Sequence, residues 1–242
     1  MNVTTMKTIR SLNHSRGMPV RVFGLATACW LAGTMWAGGT VTGTLQVSGT
    51  KLRATGDKPD NIVVVYVEKK GSHEYPPPPK KHAVMDQKAL VFIPHVLAVQ
   101  KGTTVDFLNS DEVEHNVFCV DDCCQVLEPG QKKTTYLDLG NWGKGEVRSH
   151  TFNIPGEAVL LCKLHPDMEA HLYVLETPWF TTVKVDPKTQ TAKFTIKDVP
   201  AGDYVLKTWN KRCVSEPREI SVKDGQTTEV QVTLTKKSRR RR

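Results

Sequence analysis

Residues 159–168 of the 242-residue chain read Val-Leu-Leu-Cys-Lys-Leu-His-Pro-Asp-Met. The apolar, β-branched start of this stretch predicts a short strand that ends at Cys162. The proline that follows predicts a tight loop, which returns His165 and Met168 toward the end of that strand. A thiol, an imidazole and a thioether three residues apart are typical of a metal-binding loop rather than of an ordinary turn.

A second stretch completes the set of metal-binding groups. Residues 105–117 read Val-Asp-Phe-Leu-Asn-Ser-Asp-Glu-Val-Glu-His-Asn-Val, and they supply His115 after a predicted strand. Two imidazoles and a thiolate with a weak axial methionine form the ligand set of a blue-copper electron-transfer site. Zinc is the competing metal, but structural zinc sites prefer closed Cys/His sets. The sequence therefore predicts one type 1 copper ion, bound by His115, Cys162, His165 and Met168.

These two stretches resemble the cupredoxins, the blue copper family that includes plastocyanin, pseudoazurin and amicyanin. The resemblance runs from about residue 83 to residue 176, and the short ligand loop is most similar to that of amicyanin. It implies that the backbone N–H of Asn116 hydrogen-bonds the Cys162 thiolate, and that the exposed edge of His165 is the electron port. Glu114 departs from the pattern, because plastocyanin-like proteins often have proline before the first histidine.

The remainder of the chain shows a β pattern. Short segments rich in β-branched and aromatic residues alternate with Gly, Pro, Asn and Asp, and no long apolar period of 3.6 residues interrupts them. We therefore predict an all-β fold of sandwiches. The predicted strands are Thr40–Ser48, Ile62–Val67, Leu90–Phe92, Val96–Val99, Thr103–Leu108, Val117–Phe118, Ser149–Ile154, Val159–Cys162, Leu172–Leu175, Thr181–Val185, Ala192–Ile196, Tyr204–Trp209, Ile220–Val222 and Thr228–Leu234.

A second module follows the first. Residues 194–206 read as a strand, a Pro-Ala-Gly turn and another strand, and they resemble the carboxypeptidase regulatory-like (transthyretin-type) β-sandwich. Residues 177–234 hold only about five strands, which is thin for an independent sandwich. Residues 39–45 resemble the opening strand of that fold. As a whole, the chain is similar to bacterial plastocyanin-like and methylamine-utilisation-type proteins that combine these two pieces.

These patterns predict a Greek-key cupredoxin sandwich inserted into a second, smaller sandwich. A simple tandem, with residues 41–67 as extra cupredoxin strands, is the alternative. The predicted segments are a signal peptide over 1–39, a discontiguous sandwich over 40–70 and 177–235, a Pro-rich linker over 71–82, a cupredoxin domain over 83–176 and a disordered basic tail over 236–242.

Both ends of the chain are basic, and they explain its net charge of +8. Residues 1–21 carry four basic residues and no acid, and an apolar run with small residues follows, which predicts a secretory signal peptide. An uncleaved anchor is the alternative, while a lipoprotein is disfavoured because the apolar run continues past Cys29. The signal and the tail hold ten of the 33 basic residues, so 23 remain against 25 acidic ones. A body with a net charge of −2 gives no support to nucleic-acid binding.

Five cysteines follow the predicted signal. With Cys162 assigned to copper, Cys119, Cys123, Cys124 and Cys213 are candidates for two disulfides, because disulfides persist in exported proteins. One bridge would be local and one would tie Cys213 to the insertion at 119–124; a second thiolate metal site near His115 is the alternative. The remaining histidines, at 73, 82, 95, 150 and 171, are predicted to be surface or hydrogen-bonded strand residues.

The predicted function is transfer of single electrons between redox proteins in the periplasm or outside the cell. We expect a monomer without a membrane span after signal cleavage, whose redox partner docks near His165. A copper-binding or copper-delivery protein that does not shuttle electrons is the alternative. An enzyme is not expected, because a site with four protein ligands offers no open coordination position.

Overall fold

The structure is a computed structural model that describes residues 38–54, 56, 58–71, 73–126 and 135–238. The predicted signal peptide therefore lies almost entirely outside the described residues, as do the last four arginines of the predicted tail. Lys236 is the last residue of a strand rather than part of a tail. The backbone N–H of Lys237 also donates to the Arg212 carbonyl at 2.9 Å.

The described residues form strands and one short 3-10 turn (Asp122–Cys124), so the all-β prediction is confirmed. None of their helical segments is long and apolar enough to cross a membrane. The strands are β1 (Gly39–Ser48), β2 (Ile62–Lys69), β3 (Ala83–Lys88), β4 (Val91–Ile93), β5 (Val96–Gln100), β6 (Thr103–Asn109), β7 (His115–Phe118), β8 (Gln125–Val126), β9 (Thr135–Tyr136), β10 (Asp138–Trp142), β11 (Val147–Phe152), β12 (Gly156–Leu161), β13 (Glu169–Leu175), β14 (Phe180–Lys184), β15 (Thr191–Val199), β16 (Gly202–Trp209), β17 (Cys213–Val214), β18 (Arg218–Val222) and β19 (Thr227–Lys236).

Strands β3 to β13 build one sandwich, which we call the middle sandwich. One sheet has the order β10-β7-β12-β13-β5 and the other the order β11-β6-β3-β4, while β8 and β9 form a separate ribbon. Pairs β3–β6 and β5–β13 are parallel, and the other pairs of the two sheets are antiparallel. The core between the sheets is aromatic and aliphatic, with Phe107, Trp142 and Phe152 among its largest buried side chains.

The remaining strands build the outer sandwich from both ends of the described chain. Its sheets have the orders β15-β1-β19-β17 and β14-β2-β16-β18. Strand β1 runs parallel to β19 and antiparallel to β15, and it comes close to the β19 backbone at Gly43. A Cβ at Gly43 would lie 2.0 Å from the Val230 carbonyl oxygen, so only glycine fits there. The likeness of this sandwich to the carboxypeptidase regulatory-like fold stays a prediction.

Strand β2 explains the unbroken β-branched run that begins at Ile62. Val63, Val65 and Val67 face the core of the outer sandwich. Ile62, Val64 and Tyr66 face the opposite way, into a smaller apolar cluster at the junction of the two sandwiches. A strand that is buried on both faces has no polar side to alternate with, so its sequence is continuously apolar. The junction cluster is completed by Val96, Leu175 and Trp209, with Ala98, Tyr173 and Phe180 packed against it.

Some elements differ from the predictions. Strands β3 and β10 were not predicted, because Ala-Val-Met-Asp-Gln-Lys and Asp-Leu-Gly-Asn-Trp mix polar residues and glycine with few β-branched ones. Cys162 lies just past the end of β12 rather than within the strand. The insertion at 119–124 contains the 3-10 turn and lies between β7 and β8.

Candidate metal centre

The predicted ligands converge at one end of the middle sandwich. His115 is the first residue of β7, and Cys162 directly follows β12, which pairs with β7 through Leu161 and Phe118. His165 lies in the turn after Cys162, and Met168 directly precedes β13. The Met168 backbone N–H donates to the His165 carbonyl at 2.9 Å, which closes this turn. Adjacent strands and a tight turn thus bring residues from distant parts of the sequence together.

His115, Cys162 and His165, which we call the ligand trio, each point one donor atom into a common space. The three donor atoms lie within 4.8 Å of one another. The Nδ1 atoms of His115 and His165 are 3.1 Å apart, and His165 Nδ1 lies 3.7 Å from the Cys162 sulfur. Around a first-row metal with bonds of about 2.0 Å to nitrogen and 2.3 Å to sulfur and ligand angles of about 100–120°, neighbouring ligand atoms lie about 3.1–3.8 Å apart. These distances fit three ligands of one metal ion.

Burial differs across the site in a way that suits a redox centre. His115 is fully buried and Cys162 is 3% exposed. His165 is partly exposed and lies between the exposed residues Leu164 and Pro166. Met168 is 1% exposed and belongs to the core of the middle sandwich, at the end of the loop that carries Cys162 and His165. One imidazole therefore reaches solvent while the sulfur ligands lie in the protein.

Asn116 holds the thiol in place, as the resemblance implies. Its backbone N–H points at the Cys162 sulfur at 3.4 Å. Its side-chain Nδ2 donates to Asp138 Oδ1 at 2.8 Å and to the Gly140 carbonyl at 3.0 Å, while Oδ1 accepts from the Lys163 backbone N–H at 3.4 Å. A hydrogen bond from Lys163 is the main reason that the pKa of Asp138 is lowered. The amide thus ties β7, β10 and the ligand loop into one unit.

Asp111 is a residue of the site that the sequence analysis missed. Its Oδ2 lies 2.9 Å from His115 Nε2, and the same carboxylate accepts the backbone N–H groups of Ala89 (2.6 Å) and Leu90 (3.0 Å). Ala89 and Leu90 have positive φ angles of 55° and 59°, so Asp111 stabilises a turn that non-glycine residues rarely adopt. Burial opposes ionisation of Asp111, but these hydrogen bonds outweigh it and lower its pKa. The four-residue spacing to His115 was the available signal.

The four cysteines outside the trio do not form the two disulfides that their even number allows. Cys119 and Cys124 are bonded to each other. Cys123 and Cys213 are free thiols, buried in the cores of the middle and outer sandwich respectively, so the predicted bridge from Cys213 to the insertion is wrong. Burial, assisted by the Asp121 carboxylate, raises the pKa of the Cys123 thiol to about 11. Free cysteines are often buried as small apolar residues, so an even number of cysteines does not mean that all of them form disulfides.

The insertion is also tied to the strand that precedes Cys162. The Asp121 carboxylate accepts the backbone N–H of Val159 at 2.7 Å. Cys119 N–H donates to the Leu137 carbonyl, and Leu137 N–H donates to the Cys124 carbonyl. The disulfide and the bonds to Leu137 fix the insertion, and the Asp121 hydrogen bond ties it to β12.

One of the remaining histidines, His95, contradicts the prediction made for them. His82 pairs with Asp106 at the surface, as expected. His171 lies in β13 and hydrogen-bonds Glu169, as predicted for a strand histidine. His95, however, is buried next to Glu169, and neither of its ring nitrogens has a hydrogen-bond partner. Burial, together with the neighbouring charges of His171 and Lys211, lowers the pKa of His95 to about 4. The available signal was Glu169 and His171, two residues apart and hence on one face of a strand.

The comparison with protein families bears directly on the middle sandwich. Residues 79–175 match the family model of copper binding proteins, plastocyanin/azurin family. This segment is similar to a cupredoxin. It contains the whole ligand trio and Met168, and it leaves the outer sandwich unmatched. A comparison with curated proteins gives no match.

Solved structures of copper proteins overlap with part of the chain. A copper-containing nitrite reductase from Thermus scotoductus SA-01 is 28% identical over 40% of this chain, with a TM-score of 0.33, and the overlap spans 23% of the reductase. An oxidised amicyanin variant is 26% identical over 38% of this chain and 81% of its own, also with a TM-score of 0.33. A purple cupredoxin from Nitrosopumilus maritimus is 23% identical over 38% of this chain and 98% of its own, with a TM-score of 0.31. The family match and the side-chain geometry, rather than these overlaps, support copper.

Proposed function

We propose that this protein carries single electrons between redox partners outside the cytoplasm, with one type 1 copper ion held by the ligand trio and Met168. The observation that supports this proposal most strongly is the spacing of the trio, whose donor atoms lie within 4.8 Å of one another. Two imidazoles, a thiolate and a thioether suit both oxidation states of copper. Bound copper would supply the Cu(II)/Cu(I) couple.

The protein's own contribution is to hold the ligands still. Asp111 fixes the outer nitrogen of His115, so that its Nδ1 stays directed inward. Asn116 donates its backbone N–H to the Cys162 sulfur and stabilises negative charge there. Asn116 lies in β7 and Asp111 in the loop between β6 and β7, so both supports come from outside the ligand loop. A site that keeps its geometry when the charge changes loses and gains an electron with little rearrangement.

The surface around His165 suits a transient redox partner. Leu164 beside it is exposed, as are Val113 and Leu90 near the Asp111 end of the site. Lys163, next to Leu164, pairs with Asp138, and Glu112, next to Val113, pairs with Lys144. An apolar patch with a charged surround fits a small, short-lived docking interface of the kind that redox proteins use. The partner we propose is a redox protein with a complementary apolar patch around its own centre.

Copper delivery without electron transfer is the competing function, and the cysteines outside the trio do not favour it. Cys119 and Cys124 are bonded to each other, and Cys123 is buried. Within the described residues, no free thiol outside the trio is exposed to receive or pass on copper. We also propose that the chain is not an enzyme, since Met168 and the trio would fill the coordination sphere.

Repeated redox cycling distinguishes the two functions. The copper-loaded full chain is reduced and reoxidised several times in the presence of a Cu(I) chelator, and the copper that remains bound is measured after each cycle. An electron carrier keeps its copper and its visible absorption through every cycle. Loss of copper to the chelator on the first reduction would favour delivery and contradict the proposal.

A further inference from the structure

A second group of metal-binding side chains lies at the junction of the two sandwiches. His95, Glu169 and His171 place one donor atom each within 4.8 Å of the other two. We propose that these residues form a second metal site, which binds a divalent cation such as zinc through two imidazoles and one carboxylate. Zinc is bound in proteins by this combination of nitrogen and oxygen donors. The site is separate from the ligand trio and shares no residue with it.

The decisive observation is the state of the His95 side chain. His95 is 7% exposed, and neither of its ring nitrogens has a hydrogen-bond partner in the protein. Buried polar groups are nearly always paired, because an unpaired one costs about 1–3 kcal/mol. A metal ion bound by His95 would remove this cost. The unpaired imidazole therefore points to a ligand that the protein chain does not itself supply.

The backbone register brings the three side chains together. Glu169 and His171 are two residues apart on β13, so both side chains lie on the face turned toward the junction. His95 directly precedes β5, which runs parallel to β13 with Val96 opposite His171. The His171 backbone N–H donates to the His95 carbonyl at 2.9 Å. Strand β13 thus holds two of the donors, and its hydrogen bond to the His95 carbonyl holds the third just before β5.

His171 is oriented as metal-binding histidines usually are. Its Nε2 lies 3.1 Å from Glu169 Oε1, inside the cluster. Its Nδ1 faces outward and lies 3.3 Å from Glu157 Oε1, although the two are not aligned as an ideal hydrogen bond. Trp209 Nε1 in turn donates to the other Glu157 oxygen at 2.9 Å. A carboxylate on the outer nitrogen of a histidine fixes the ring for metal binding through the inner nitrogen.

Lys211 of the outer sandwich is the group that competes with a cation. Its ammonium contacts Glu169 Oε1, and its side chain is 38% exposed. A divalent cation would take over this carboxylate, and the partly exposed lysine can turn out toward solvent. An ordinary ion-pair network would explain Glu157, Glu169, His171 and Lys211, but it would leave His95 without a partner. A bound cation would engage His95 together with Glu169 and His171.

The experiment measures zinc bound by the full chain after equilibrium dialysis, and it compares variants rather than relying on the total. His95→Gln removes the unpartnered imidazole and keeps the size of the side chain. We expect this variant to bind one zinc equivalent fewer than the unmodified chain. His82→Gln, which changes a surface histidine outside the cluster, is the matched control and should bind as much as the unmodified chain. The difference in bound zinc between His95→Gln and the unmodified chain does not depend on whether the ligand trio also binds zinc. Failure of the electron-carrier proposal would therefore not produce this difference.

Lys211→Met provides a second arm that does not disturb a buried residue. Removal of the competing ammonium should tighten zinc binding at this site about tenfold, because one positive charge beside the cation is gone. Circular dichroism establishes which variants are folded. Equal zinc binding by the unmodified chain and folded His95→Gln would overturn the proposal. If His95→Gln does not fold, unchanged zinc affinity in Lys211→Met overturns it, and tighter binding supports it.

Discussion

Asn210 of the outer sandwich and Asn116 of the middle sandwich are both buried amides, but they serve different purposes. Asn210 donates to the carbonyls of Asp60 and Ile62, each at 2.8 Å, and accepts the N–H groups of Arg212 and Cys213. All four bonds join backbone segments of the outer sandwich. Asn116 binds backbone and a carboxylate too, but its own N–H is directed at the Cys162 sulfur.

This contrast extends to the two sandwiches as a whole. Among the described residues, every buried side-chain nitrogen or oxygen without a hydrogen-bond partner lies between residues 73 and 171. None lies in the strands of the outer sandwich, which also contains no histidine. The outer sandwich uses its buried polar groups to stabilise the fold. In the middle sandwich, the unpartnered atoms include both ring nitrogens of His95 and Nδ1 of His171, which belong to the proposed second metal site.

The largest expected effect comes from Cys162→Ser. A serine hydroxyl cannot form the copper–thiolate bond, so the intense visible absorption of the copper-loaded chain should disappear completely. Cys213→Ala is the matched control in the outer sandwich: it should keep the absorption and lower the stability by about 1 kcal/mol. Absorption spectra of both copper-loaded variants test this. Equal absorption in Cys162→Ser and the unmodified chain would contradict the assignment of the copper site to the middle sandwich.

Trp209→Ala tests the junction between the sandwiches. Trp209 is a buried member of the junction cluster, stacks on Tyr173 and donates to Glu157. Its truncation should lower the free energy of unfolding by about 3–5 kcal/mol, as for other large buried aromatic residues. Denaturant unfolding measures this loss, and the copper absorption of the folded variant should be unchanged. A loss below about 1 kcal/mol would mean that the junction contributes little stability.

Asp111→Ala tests the support of His115. Loss of this carboxylate should weaken copper binding about 10–100-fold, since groups that orient metal ligands typically have effects of this size. Asp106→Ala is the control, because Asp106 accepts hydrogen bonds from Ser149 and His82 away from the trio. Competition with a copper chelator measures both affinities. Similar affinities in the two variants would contradict a role for Asp111 in the site.

The smallest expected effect concerns pH. Burial lowers the pKa of His150 in the folded protein below its ordinary value of 6.5. The unfolded chain therefore binds more protons between the two pKa values, so stability falls as pH drops below about 6.5. In His150→Gln, denaturant midpoints should fall less steeply over this range, and His82→Gln is the surface control. An unchanged slope in His150→Gln would show that His150 does not contribute to acid sensitivity.

The ligand loop and the all-β class were predictable from the sequence because both rest on local patterns, and His115 was predicted from the resemblance of residues 105–117 to the cupredoxins. Cys162, His165 and Met168 lie within one loop, and the strands carry β-branched runs. Asp111 lies only four residues before His115, but its contact with the imidazole depends on the shape of the loop between β6 and β7. The pairing of His95 with His171 depends on strand register between distant segments. The free thiols of Cys123 and Cys213 were missed because burial, which decides whether cysteines can meet, is a tertiary property.

The most direct test of the central claim is visible spectroelectrochemistry of the copper-loaded full chain. The account predicts one copper ion per chain and an intense thiolate-to-copper absorption that disappears on one-electron reduction and returns fully on oxidation. A colourless chain after copper loading, or an absorption that does not return, would contradict the claim that the trio holds a redox-active copper.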